Sequence, residues 1–398
     1  MRCKLKDFCT VINGRAYSQK ELLDKGKYRV LRVGNFFSSD RWYFSDLELP
    51  AEKYCNKGDL LFAWACSFGP RIWDGEDRTI FHYHIWKLDI DSAVVDKKYL
   101  YYLLKISVES MTAGTHGSVM MHITKSDMEN FEFDIPTLEV QKKIAAILSA
   151  LDEKIAINRA INDNLLEQIR TLCTAWLSDY EPFDGVIPYD WVETPLSDIA
   201  EFISGYSYKG AELTDSTIAM ATIKNFDRKG GFKLDGYKEI IPSSKLKESQ
   251  HAELFDTLVA HTDLTQNAEV IGNAEPVMSK SGYDDIVFSM DLVKVLPKKE
   301  SVSKFLIAAI LQDKKFKAHC LGYVNGTTVL HLSKKALPEY KLFLPSDLSK
   351  LRPLDEVVTA LYRQISSNIS ENTYLEELRE SLLPKLMSGE IDVSAVHL

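Results

Sequence analysis

The sequence predicts an α+β protein in which two similar globular regions are joined by two long antiparallel helices, related by an internal pseudo-two-fold duplication. Three observations carry this reading. The stretch Thr137–Leu177 runs about forty residues without Gly or internal Pro, roughly 60 Å at helical rise. From Leu151 it places Leu151, Ile155, Asn158, Asn162, Leu165, Ile169, Leu172 and Trp176 in alternating steps of four and three, the seam of a coiled coil. At a constant offset of 210 the pattern returns as Leu361, Ile365, Asn368, Asn372, Leu375, Arg379, Leu382 and Leu386, with Arg379 the one departure.

The third observation is an echo between the regions that precede the helices. Leu5–Tyr17 (LKDFCTVINGRAY) lines up with Leu196–Tyr208 (LSDIAEFISGYSY), and Val33–Phe36 and Gly58–Ala63 find counterparts at Ile223–Phe226 and Phe255–Ala260. Gly117–Pro136 aligns without gaps to Gly326–Pro345 at offset 209. A two-fold perpendicular to the helices makes them antiparallel and puts the globular regions at opposite ends. With the crossing near residues 160 and 370, Asn158 approaches Asn372 and Asn162 approaches Asn368, so that paired amides satisfy each other and fix the register. Two unrelated amphipathic helices with solvated asparagines are the bland alternative, against which the matching offsets speak.

In chain order, residues 1–136 form the first region, with Tyr28–Val33, Asp59–Ala65, Thr79–Leu88 and Asn130–Ile135 as strands and Lys97–Ser107 as a helix. The first long helix occupies 137–178. A connector, 179–190, follows, with two Pro, one Gly and four acids. The second region covers 191–345, the second helix 346–387, and a tail 388–398. Pro353 suits a first helical turn and not an interior, so the second helix should begin near it and be shorter than the first.

At 398 residues and 45% hydrophobic content the chain can bury substantial cores in two or three domains. It has no apolar run of eighteen residues, and its N-terminus lacks a signal-peptide h-region, so a cytoplasmic protein is expected. Six scattered cysteines without CxxC spacing read as reduced thiols, with no metal site or disulfide framework. Net charge is −9. Residues 1–140 carry 19 Lys+Arg against 20 Asp+Glu, and residues 185–349 carry 19 against 22. A phosphate-binding face must therefore come from sorting charges in space.

Three segments carry a family resemblance: IPTLEVQKKIAAILSALDEKI (Ile135–Ile155), IPYDWVETPLSDIAEFISGYSYKG (Ile187–Gly210) and NISENTYLEELRESLLPKLMSGEI (Asn368–Ile391). Together they resemble the specificity (S) subunit of type I restriction-modification enzymes, over essentially the whole chain. The resemblance implies two target-recognition domains, each reading one half of a split double-stranded DNA site, on a spacer of helices that also bind two methylation subunits. Motor-nuclease (restriction) subunits can join that core. S-adenosylmethionine then belongs to the methylation subunit, and this chain binds no cofactor. The alternatives are a related type II specificity subunit and a coiled-coil scaffold that does not bind DNA.

No catalytic signature argues otherwise. The sequence has no G-x-x-x-x-G-K-[ST], no H-E-x-x-H and no Asn/Asp-Pro-Pro-aromatic loop, so a non-catalytic chain is expected. His122 and His331 share a repeat position and read as structural imidazoles, while His82 and His84 alternate along a presumptive strand without a third metal ligand. For base and phosphate contacts the loops after repeated strands offer Arg15, Tyr17, Lys20, Ser67 and Arg71 in the first region. In the second they offer Tyr206, Tyr208, Lys209, His261, Thr262, Gln266 and Asn267. Arg matches guanine and Asn or Gln adenine in the major groove, although most such contacts go to phosphate. Trp64 and Phe68 read as core.

Overall fold

The structure, a computed structural model, describes residues 1–37, 41–112, 123–228, 230–265 and 267–396. It divides into two compact units, Met1–Glu153 with Leu375–Leu398, and Lys154–Tyr374. Each unit contains one globular region and a part of each long helix. His122, Gln266 and the start of the Gly117–Pro136 echo lie outside the described residues.

In the first unit, Cys9–Asn13, Ile85–Ile90, Leu60–Ala65 and Ser67–Ile72 form an antiparallel four-stranded sheet in that spatial order. A second sheet runs Tyr43–Ser45, Tyr28–Leu31, Thr79–Phe81, Tyr54–Cys55, with its central pair parallel. Thr79–Leu88 is not one strand as expected. It breaks at His82–His84, where the Ile85 N–H donates to the His82 carbonyl at 2.9 Å in a turn that passes the chain from one sheet to the other. The helix begun at Lys97 runs on to Thr112. Arg2–Lys4 pairs with Glu132–Asp134, bringing the N-terminus back beside the start of the long helix.

The core of this unit joins Phe62, Trp86, Tyr99 and Leu104 to Ile144 and Leu148 of the first long helix and to Leu383 and Leu386 of the second. Leu148 is fully buried, and each such aliphatic side chain contributes about 1.5–3 kcal/mol. The Gln of the IPTLEVQ segment has a visible job. Gln141 is 1% exposed; its Oε1 accepts from the Asp96 N–H at 2.8 Å, and its amide donates to the carbonyls of Val94 (3.2 Å) and Pro136 (3.0 Å). The long helix thereby satisfies backbone groups just ahead of the Lys97 helix and just ahead of its own start.

The second unit has the same wiring. Ala200–Ser204, Leu292–Pro297, Thr257–Ala260 and Ala274–Pro276 form the four-stranded sheet. Ile218–Ala221 pairs parallel with Asp285–Phe288 in the other, and Trp191–Pro195 pairs antiparallel with Lys341–Pro345. A small sheet of Thr262–Asp263, Leu330–Leu332 and Val324–Asn325 is added. Its core packs Leu306, Ile310 and Phe316 against Ile169 and Cys173 of the first long helix and Val358, Tyr362 and Ile365 of the second.

The first long helix runs Leu138–Leu177 and the second Arg352–Ser388, 40 and 37 residues. The second begins later than residue 346 because a 3-10 turn, Leu348–Leu351, precedes it, and Pro353 falls in its first turn where no N–H partner is lost. Within the second unit the helices pair antiparallel. The Asn158 amide donates to Asn372 Oδ1 at 2.9 Å and the Asn368 amide to Asn162 Oδ1 at 2.7 Å, all four residues under 9% exposed. Lys154, Glu371 and Gln364 hydrogen-bond the edges of these layers. Within the first unit, Arg379 holds Asp152 at 2.5 Å.

Candidate nucleic-acid interface

In the first unit, Gly14 passes directly beneath the His82–His84 turn. A Cβ there would lie 2.3 Å from the His82 carbonyl oxygen, so only glycine fits. The next residue is pinned to the same turn, Arg15 N–H donating to the Phe81 carbonyl and the Tyr83 N–H donating to the Arg15 carbonyl, both at 3.0 Å. Its guanidinium donates to Glu21 at 2.6 Å and lies over the Tyr17 ring. Bonds from Arg15 first, then from the Ser18 N–H and hydroxyl, hold the Glu21 carboxyl down to about 2. The Tyr17 hydroxyl is buried, which pushes its pKa up, and its ring stacks on His82. Lys20 is exposed on the 3-10 turn Gln19–Glu21. Arg15 and Tyr17 thus brace this loop, and Lys20 is its outward-facing cation.

Ser67 is exposed, directly after Cys66, whose φ of 68° makes the tight turn between Leu60–Ala65 and Ser67–Ile72. Arg71 has both arms of its fork engaged, by the Phe36 carbonyl at 2.6 Å and Asp74 at 2.9 Å. Trp64 stacks on Trp86 at 5.4 Å and donates its indole N–H to the Tyr83 carbonyl.

Around Ser67 opens a groove of about 570 Å³, whose lining includes Arg32, Arg41, Tyr43, His82 and His84. The two guanidinium groups lie 5.3 and 5.4 Å from the Tyr43 ring centre. The two imidazoles are 4.8 Å apart. Burial, then His84 and Arg32, pushes His82 down to about 4, and burial, then Arg32, lowers His84. Both rings are therefore neutral near pH 7. Sequence reasoning missed Arg32 and Arg41, because three segments distant in the chain build the groove. The one local signal was the Arg-x-Tyr spacing at Arg41–Tyr43.

In the second unit Gly205 repeats the close passage, its would-be Cβ 2.0 Å from the Ser289 carbonyl oxygen. Tyr206 is pinned as Arg15 is, but its ring is buried and its hydroxyl bonds Glu212 at 2.8 Å and Ser243 at 2.9 Å. Bonds from the Lys209 N–H first, then Tyr206, hold Glu212 down to about 2. Tyr208 is half-buried against the same cluster, while the Lys209 side chain is exposed. Thr262 is buried at 5% with its hydroxyl 3.5 Å from His331 Nδ1. Burial first, then His331 and Lys334, lowers the pKa of His261. Asn267 is exposed. The loop is shaped by Asp263, whose buried carboxylate accepts from the Thr265 N–H, the Thr265 hydroxyl and the Val270 N–H. Of the candidates in this unit, Lys209 and Asn267 face solvent, His261 is half-buried, and Tyr206 and Thr262 are interior.

Among the described residues no group of three or more His, Cys, Asp or Glu could hold a metal ion, and no helix is long and apolar enough to cross a membrane.

Residues 1–167 match the family model described as Type I restriction modification DNA specificity domain. The type I restriction enzyme MjaVIII specificity subunit of Methanocaldococcus jannaschii is 24% identical over 86% of this chain and 81% of its own length. The HindI specificity subunit of Haemophilus influenzae is 23% identical over 87% of this chain and 89% of its own. The crystal structure of a type I restriction-modification S subunit from M. genitalium superposes with a TM-score of 0.55 at 19% identity, covering 97% of this chain and 95% of that one, a likeness of fold. By its matched domain at residues 1–167 and its alignment along most of its length, the chain is similar to type I restriction-modification specificity subunits.

Proposed function

We propose that the chain is the DNA sequence-recognition subunit of a type I restriction-modification complex, catalysing no reaction itself. The observation that carries this is the alignment to specificity subunits over most of the chain, with the matched specificity domain at residues 1–167. In this reading residues 1–136 and 191–345 are two target-recognition domains derived by duplication. They share strand order and the glycine passage at Gly14 and Gly205, yet differ in the side chains around it. A common frame with different side chains is what readers of two different half-sites require, so the target is split and asymmetric. The long helices are the spacer and carry two methylation subunits, which hold the S-adenosylmethionine; restriction subunits add to that core.

The test is co-expression with a neighbouring methylation subunit, purification of the complex, and sequencing of methylated DNA. A two-part motif with one fixed gap is expected, and replacing residues 191–345 by the matching domain of a relative should alter one half alone. Failure to co-purify, or methylation without a split motif, would overturn the reading.

A further inference from the structure

Resting on that reading, we propose that the turns His82–His84 and Ser289–Asp291 are the equivalent base-reading tips of the two globular regions, Tyr83 touching a base of one half-site and Met290 the thymine methyl of an A·T pair in the other. The backbone of the two turns is held alike. The Tyr83 N–H donates to the Arg15 carbonyl at 3.0 Å, and the Met290 N–H to the Tyr206 carbonyl at 2.9 Å. Each turn is entered by the same bond, His82 N–H to the Leu31 carbonyl and Ser289 N–H to the Ala221 carbonyl, both at 2.9 Å. Each is closed by another, Ile85 N–H to the His82 carbonyl and Leu292 N–H to the Ser289 carbonyl, also at 2.9 Å. The last carbonyl of each accepts from a neighbouring strand end, from the Trp64 N–H at 3.1 Å and the His261 N–H at 2.8 Å. Gly14 and Gly205 pass beneath them, and the chain from glycine to turn is longer in the second unit, so the repeat offset of 210 does not reveal the match.

On this common backbone the side chains differ. His82, Tyr83 and His84 in one turn stand where Ser289, Met290 and Asp291 stand in the other, and Trp64 stands where His261 does. Both tips nevertheless put a large apolar side chain into water, Tyr83 at 40% exposure and Met290 at 58%. One such side chain is ordinary on a protein surface. Two at the same pinned position, in otherwise unlike turns, call for a ligand. A surface for two copies of one methylation subunit would present like side chains twice, whereas two different half-sites require unlike ones on one frame.

The chemistry of the tips favours a base over a phosphate. A thioether carries no charge and no donor, so Met290 gains nothing from a phosphate oxygen; among the groups in the major groove, the C5-methyl of thymine is the one it can favour. Its unbranched side chain adapts to that surface. Tyr83 brings a ring for apolar contact and a hydroxyl that donates and accepts. With the backbone already fixed by four hydrogen bonds, little order remains to be imposed when either tip enters a groove.

The experiment uses the assembled complex with its methylation subunits, on a target first defined by methylated-site sequencing. Met290→Ala should weaken the cognate duplex about three- to tenfold and relax one A·T position of one half-site, leaving the other half, the salt dependence and the unfolding midpoint unchanged. Met290→Leu keeps the apolar contact and should keep the preference. Replacing that thymine by deoxyuridine removes the methyl alone; it should weaken the wild type by the same factor and the Met290→Ala complex not at all. Tyr83→Ala should relax one position of the opposite half-site. Equal weakening on all sequences, a deoxyuridine effect that persists in Met290→Ala, a second half-site without an A·T pair, or unchanged recognition would each overturn the proposal. Loss of methylation subunits from either alanine variant would make the turn a protein-docking element and overturn it too. A wild-type complex that methylates no split site would instead sink the parent reading.

Discussion

In the first unit the first long helix presents Gln141 to the N–H of Asp96, the residue that starts the Lys97 helix; in the second unit the second long helix presents Asp355 to the N–H of Ser303, which starts the Lys304 helix. Asp96 and Ser303 each then cap their own helix, through Tyr99 and Leu306. The joint is the same and the chemistry is not. Gln141 also satisfies two carbonyls, whereas Asp355 takes the Ser303 hydroxyl as well as its N–H.

A second pair of positions, 210 apart, differs more. Asp152 accepts from Tyr102 and Arg379, while its counterpart Tyr362 donates to Gln312, which donates in turn to Glu275. Ile169, the counterpart of Arg379, is fully buried in an apolar core. Thus one unit joins its long helices through a partly exposed ion pair, whereas the other ties the second long helix to its globular region through a buried chain of hydrogen bonds ending on a carboxyl. What the comparison teaches is that the strand order and helix placement shared by the two units dictate where a polar contact must be made, and leave open which groups make it.

The largest expected effect comes from breaking the first joint. Gln141→Leu strips partners from one N–H and two carbonyls in a buried place and should cost about 3–5 kcal/mol. Asp355→Leu removes the partner of one N–H and of two hydroxyls, those of Ser303 and Thr359, which can turn to other acceptors, and should cost about 2–3 kcal/mol. Urea unfolding midpoints check both. If the two variants are equally destabilised, the number of orphaned backbone groups is not what sets the strength of the joint.

The ion pair comes next. Arg379→Ala leaves Asp152 without its cation, and because Asp152 is 32% exposed, solvent screening reduces the loss to about 2 kcal/mol. Replacing this joint by apolar groups, as Tyr102→Phe/Asp152→Leu/Arg379→Ile, should be near neutral or stabilising. A triple variant less stable than Arg379→Ala would show that the charges contribute net stability.

The third test uses pH. Glu275 is 3% exposed and accepts from the Gly231 N–H at 2.7 Å and Gln312 at 2.9 Å, with Arg170 and Asp227 as the charged groups nearby. Burial, opposed by Gly231 and Arg170, raises its carboxyl to about 7. A folded-state value above the unfolded one means that the native protein binds the extra proton, so stability is lost as pH rises from about 4.5 to 7. Glu275→Gln should remove that slope, gaining up to about 3 kcal/mol on wild type between pH 5 and pH 8. Parallel stability curves for the two proteins would refute it.

Much of the frame was legible in the sequence because long helices have a period and the repeated pattern has a constant offset. The positions of Asn158, Asn162, Asn368 and Asn372 follow from both. The reading surface was less so. Nothing in the sequence around Arg15 says that Glu21 will hold its guanidinium, nor around Tyr206 that Ser243, 37 residues on, will hydrogen-bond its hydroxyl. Thr79–Leu88 has the composition of one strand, but its three central residues turn, and that turn brings His82 and His84 to a groove whose arginines come from elsewhere.

The smallest expected effect on stability belongs to the asparagine layers, where the two repeats are most alike. Asn158 with Asn372 and Asn162 with Asn368 make amide pairs whose outer edges are closed by Lys154, Glu371 and Gln364, so little of their polarity is unsatisfied. Replacing all four by Leu exchanges satisfied amides for apolar contact and should leave the unfolding midpoint level or slightly higher. Leucine layers, unlike amide pairs, can slide by a turn without stranding a hydrogen-bonding group. If the amides fix the register, the complex that the quadruple variant forms with methylation subunits should methylate targets with a broadened spread of gaps between unchanged half-sites. One sharp gap in the variant would transfer the ruler to the globular regions or the methylation subunits.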